Sequence, residues 1–73
     1  MKVIWEEQDI IAGRKFKLPI ANETWIIGYI PSCAGKEKYV NISLCDGMVT
    51  TPISAEWMAS ILTDAGYLPI ELC

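Results

Sequence analysis

No histidine occurs anywhere in the 73 residues, and no lysine or arginine follows Lys38. The first absence removes the commonest general base and metal ligand. The second leaves any phosphate backbone to be met by the first half of the chain alone. Cysteine is scarce and odd in number. Cys33, Cys45 and Cys73 show no short metal spacing, and tetrahedral zinc asks for four Cys or His ligands. Long apolar runs are missing too: they break every four to seven residues, too soon to span a bilayer. The opening Met-Lys-Val-Ile-Trp-Glu-Glu puts acids where a secretory signal has its apolar core. Free thiols, no leader and no span together predict a cytoplasmic protein.

What remains is one small α+β domain, residues 1–73. Apolar content of 52% with 21% charge excludes intrinsic disorder. Burial of roughly 7,000 Å² on folding contributes about 110 kcal/mol, and ordering the chain costs about the same. Such a fold needs very good packing or a partner. In size and self-containment the chain resembles the short accessory proteins of bacteria and phages.

The net charge of −3 conceals a division. Residues 1–38 set Lys2, Arg14, Lys15, Lys17, Lys36 and Lys38 against Glu6, Glu7, Asp9, Glu23 and Glu37, a balance of +1. Residues 39–73 carry Asp46, Glu56, Asp64 and Glu71 without a cation, a balance of −4. Alternation along a strand puts Lys15 and Lys17 on one face and Arg14 on the other. The expected reading is a solvated strand face; as the alternative, the acidic half meets a basic partner or mimics nucleic-acid charge, for which four separated acids are thin.

The sharpest local pattern runs over 39–51. Val40, Ile42 and Leu44 alternate with Tyr39, Asn41 and Ser43, which predicts a strand with one buried face. Asp46-Gly47 then offers two positive-φ residues for a tight primed turn, pairing Cys45 with Met48, Leu44 with Val49, Ser43 with Thr50 and Ile42 with Thr51. Pro52 is expected to end the returning strand, because it lacks an N–H. The strand at 38–44 holds its ends roughly 20 Å apart, which excludes a Cys33–Cys45 disulfide.

A helix follows, with Ser54 as its cap, Glu56 near its positive end and Ile53 with Met58 placed as a hydrophobic staple. Trp57, Met58, Ile61, Leu62 and Ala65 form the stripe expected to face the core, opposite Glu56, Ser60, Thr63 and Asp64. Gly66 terminates it, with Tyr67 folding back on Leu62. Upstream, residues 3–5 and 10–18 read as extended, with a bulge or bend at Gly13. Residues 24–30 are apolar at both parities, and 31–37 form a connector. The expected fold is therefore a small antiparallel sheet of about five strands, open or curled toward a barrel. One C-terminal α-helix covers one face, and 68–72 trail as a short extended tail.

One helix leaves one sheet face bare. Trp25, Ile27 and Tyr29 point opposite to Ile26 and Ile30, and the expectation places them on the bare side with Trp5, Tyr39 and Met48. Trp5, Trp25, Ile27, Tyr29 and Tyr39 are accordingly the candidate partner-binding residues, because large aromatics dominate interface energetics. The functional expectation is a non-catalytic interaction module (a regulator, inhibitor or assembly subunit) that self-associates, first as a dimer, or binds another protein. No cofactor, metal or small-molecule substrate is implied.

Two alternatives have named residues. Sheet aromatics beside Arg14, Lys15, Lys17 and Lys38 are the parts of a single-stranded nucleic-acid platform, opposed by the negative net charge. Cys33, in a Gly-containing loop near Lys36 and Lys38, is the one thiol with cations close enough in sequence to activate it. With no histidine as base, an enzyme is not the expectation. Glu6 and Glu7 diverge along the chain and make no acid–base dyad. Gly13-Arg14-Lys15 lacks the spacing of a phosphate loop.

Overall fold

A computed structural model describes residues 3–70 and gives an α+β fold: a mixed-length antiparallel sheet of four strands with one helix. Strands β1 (Lys15–Lys17), β2 (Trp25–Tyr29) and β3 (Tyr39–Ser43) form a meander. Helix α1 (Ala55–Ala65) then carries the chain to β4 (Leu68–Pro69), which pairs with β1 on the far edge. The strand order is β3-β2-β1-β4. Residues 68–69 are thus a paired edge strand, where a short extended tail outside the sheet was expected. The end of that tail, residues 71–72, and Cys73 lie outside the described residues.

The helix forms as its boundary chemistry predicts. Ser54 Oγ accepts the Trp57 N–H at 3.1 Å. Gly66 takes the left-handed conformation (φ 82°), Gly66 N–H donates to the Thr63 carbonyl and Tyr67 N–H to that of Leu62. These are the paired bonds that close orphan carbonyls at a glycine terminator. Ile53 and Tyr67 pack against the core cluster that contains Met58 and Leu62.

The buried helix face is not the expected stripe. Met58, Ala59 and Leu62 go into the core, while Trp57, Ile61 and Ala65 face outward. Thr63, read as an outward polar residue, turns toward the core side and accepts the Trp5 N–H at 2.8 Å. The helix is apolar over more than half its circumference, so periodicity alone does not fix which part faces the sheet.

Residues 3–5 are not a strand. They run as coil across the helix side and deliver Trp5 into the core. A 3-10 turn (Glu7–Asp9) follows, held by Asp9 N–H to the Glu6 carbonyl and Glu6 N–H to the Asp9 carboxylate, both at 2.9 Å. At Gly13 (φ 91°) the chain bulges as expected. Gly13 N–H donates to the Ile27 carbonyl and Ile27 N–H to the Arg14 carbonyl, so two residues oppose one.

The hairpin exists, but its loop is longer than predicted. Ile42 pairs with Val49, Ser43 N–H donates to the Met48 carbonyl and Gly47 N–H to the Ser43 carbonyl. Residues 44–47 make the turn, and the register slides by two from the expected pairing of Ile42 with Thr51. Only Gly47 has positive φ (75°); Asp46 keeps an ordinary backbone and its carboxylate accepts the Met48 N–H at 2.9 Å. A slip of two preserves parity, so the faces are unchanged. Pro52 interrupts the returning segment without ending it, since Ile53 and Tyr39 exchange both backbone bonds beyond it. The Gly47→Val variant should lose about 1–2 kcal/mol in a urea melt. Nothing stands within 4 Å of an added Cβ, so the whole cost is backbone strain. An unchanged melt would show that the turn does not need positive φ there.

Candidate interaction surfaces

Register assigns every strand residue to a face. Phe16, Trp25, Ile27, Tyr29, Tyr39, Asn41 and Ser43 share one face, through the pairs Phe16 with Trp25, Trp25 with Ser43, Ile27 with Asn41 and Tyr29 with Tyr39. Phe16 and Ile27 meet Met58, Ala59 and Leu62, so this is the face that α1 covers. The expectation had it bare. The polar-looking row of β3 turns toward the helix side, and its apolar row turns away from it.

The predicted partner-binding residues therefore separate. Trp5 (4% exposed) and Ile27 (1%) are core residues with no surface to offer. Trp25 and Tyr39 are half-buried against that core. Tyr29 is the exposed one, at 47%, with its ring 5.2 Å from that of Tyr39. The two tyrosines line a groove of about 630 Å³ with Lys36, Lys38, Ser54 and Glu56. Its charges are of both signs and mark no ligand of one sign. Beside it, Ile53, Trp57, Lys36 and Glu37 border a hollow of about 410 Å³.

The cations of the nucleic-acid alternative are dispersed as well. Lys15 and Lys17 share the face opposite to Trp25, Tyr29 and Tyr39. Arg14 donates to the Asp9 carbonyl at 2.9 Å and lies 3.8 Å from its carboxylate. Lys38 Nζ donates to the carbonyls of Pro31 and Cys33, bracing the 31–37 connector. Stacking aromatics and strand lysines are not assembled on one face. The Lys38 ammonium is directed at the Cys33 carbonyl, a structural use of the cation that the thiol reading had placed near Sγ. Cys33 and Cys45 are free thiols, half-buried and exposed respectively. Among the described residues no cluster of three or more His, Cys, Asp or Glu could hold a metal, and no helix is long and apolar enough to cross a membrane.

The second sheet face carries Lys15, Lys17, Ile26, Gly28, Val40, Ile42 and Leu68, with Val49 opposite Ile42. Leu44 extends it, because its N–H continues the β2–β3 ladder to the Thr24 carbonyl. Val40 and Ile42 lean over Gly28: a Cβ there would stand 3.0 Å from Val40 Cγ2 and 3.1 Å from Ile42 Cδ1. On this face Val40 and Leu68 are buried, Ile26 and Ile42 are half-buried, and Leu44 and Val49 are more than half-exposed. The result is an aliphatic strip with two lysines at its β1 side. Sequence reasoning named none of its apolar members as a site. The signal that could have found it was present in the strict alternation of Val40, Ile42 and Leu44.

The outward ridge of α1 is the other unexpected surface. Trp57 is 60% exposed, and Ile61 one turn on is exposed as well. Comparison with family models, with curated proteins and with solved structures finds no match.

Proposed function

We propose that the chain is a non-catalytic protein-interaction module that self-associates through its uncovered sheet face, working as an accessory regulator, inhibitor or assembly subunit in the cytoplasm. The observation that carries this reading is the strip of Ile26, Ile42, Leu44 and Val49, aliphatic side chains half-buried or exposed on the sheet face that α1 does not cover. An antiparallel sheet can leave one face to water when that face is polar; an aliphatic one on so small a protein marks a contact surface. The aromatic face first suggested for this role is supplied with a helix of its own, which moves the proposal to the opposite face. The separation of Lys15 and Lys17 from the tyrosines weighs against base stacking.

Sedimentation equilibrium over a concentration series tests it. The wild-type mass should rise with concentration, and Val49→Lys should return it toward the monomer. Val49 is exposed, so its melting curve should move by less than about 0.5 kcal/mol. A wild-type protein that stays monomeric throughout the series defeats the reading.

A further inference from the structure

We infer that self-association runs head to tail, with the outward ridge of α1 in one copy seated on the uncovered sheet face of the next. The inference rests on the proposed self-association and specifies its geometry. The occupant of the sheet face is then a second copy of this chain, and the element that fills it is a helix.

Shape and layer order come first. Met58, Ala59 and Leu62 bind α1 to the Phe16–Ile27 face, so the helix ridge and the uncovered sheet face lie on opposite sides of the two-layer fold. The ridge presents Trp57, Ile61 and Ala65, all exposed, on a helix already able to pack on a sheet with its other side. Laying it on the neighbour's Ile26, Ile42, Leu44 and Val49 gives that sheet a helix on each face, the arrangement in which sheets with two apolar faces are stable.

Charge then selects between a helix and a second sheet as the cover. The uncovered sheet face has Lys15 and Lys17 and no acid at any of its paired positions. Beside Trp57 and Ile61, α1 has Glu56, Ser60 and Asp64, and it contains no lysine or arginine. Sheet face against sheet face would bring lysines toward lysines, and ridge against ridge carboxylates toward carboxylates. Ridge against sheet brings opposite charges together around an apolar centre, which favours that pairing and disfavours the two symmetric ones. Because the two surfaces differ, the contact is heterologous. With its halves on opposite sides of the molecule, it leaves a free surface at each end and builds chains, where a two-fold contact would stop at a dimer.

Complementation of two blocked variants tests the geometry. A sheet-blocked variant, Leu44→Asp with Val49→Asp, keeps its ridge. A ridge-blocked variant, Trp57→Glu with Ile61→Glu, keeps its sheet face. Each alone should sediment as a monomer across the series in which the wild type grows. An equimolar mixture should form a two-chain complex and nothing larger. If the ridge-blocked variant associates like the wild type, a symmetric sheet contact is at work: the head-to-tail geometry falls and the self-association reading stands. If the wild type associates but the mixture stays monomeric, the geometry falls again. If the wild type is itself monomeric, both fall. Should either variant fail to fold by circular dichroism, the charge-reversed variants Lys15→Glu with Lys17→Glu and Glu56→Lys with Asp64→Lys take their place, with a different readout. Each reversal alone should weaken association at least tenfold; mixed, every ridge meets a sheet face of opposite charge, so growth should return toward that of the wild type, and a mixture no larger than either variant alone overturns the geometry.

Discussion

Trp5→Ala should leave the protein largely unfolded at room temperature. The indole is 4% exposed and stands edge-on to Phe16, with ring centroids 5.9 Å apart at 75°. Its Nε1 donates to the Tyr67 carbonyl at 2.9 Å, and its backbone N–H donates to Thr63 Oγ1 at 2.8 Å. Truncating a buried Trp costs about 3–5 kcal/mol, and a single core of this size rarely supplies more than that in total. Trp5→Phe keeps the contact with the Phe16 ring and loses one hydrogen bond, so it should cost about 1–2 kcal/mol. Urea melts followed by far-ultraviolet circular dichroism separate the two. A Trp5→Ala protein with a wild-type melt would mean that residues 3–5 do not belong to the core.

The role of Trp5 was illegible because its partners are remote. Residues 3–5 are three apolar side chains in a row, a pattern too short for any period. What fixes them is Thr63, whose hydroxyl donates to the Ala59 carbonyl within the helix and accepts from a residue near the other end of the chain. No spacing rule connects Thr63 to Trp5. The helix itself was legible from end to end, since Ser54 and Gly66 act on backbone groups within a turn of themselves. The hairpin sits between these cases. Asp-Gly announced a turn, but whether Asp46 enters the left-handed region or accepts a hydrogen bond from Met48 is a contest of small energies that composition does not decide. Strand β4 pairs across the sheet with β1, and two residues ending in proline carry no strand signal.

The candidate site was half-legible for a related reason. Alternation shows that a strand has an apolar row, yet a helix far along the chain chooses which row it covers. In β2 both rows are apolar, so adjacent isoleucines offer the most direct test of that choice. Ile27 is 1% exposed and packs in the cluster with Phe16, Met58 and Leu62. Ile26, opposite Lys15 and Ile42, is only half-buried on the other face. Ile27→Ala should therefore cost about 2–5 kcal/mol, the range for truncating a buried isoleucine against a core that relaxes only in part. Ile26→Ala creates no enclosed cavity and should cost about 1 kcal/mol, in keeping with the smaller area it removes from water in the monomer. Association should reverse the order. Measured where both variants are folded, Ile26→Ala should weaken self-association, and Ile27→Ala should leave the affinity of the folded fraction unchanged. Melts of both variants at one dilute concentration, followed by sedimentation, read the two effects separately. Equal losses of stability would mean that the helix does not distinguish the faces, and the assignment of the uncovered face would fail with it.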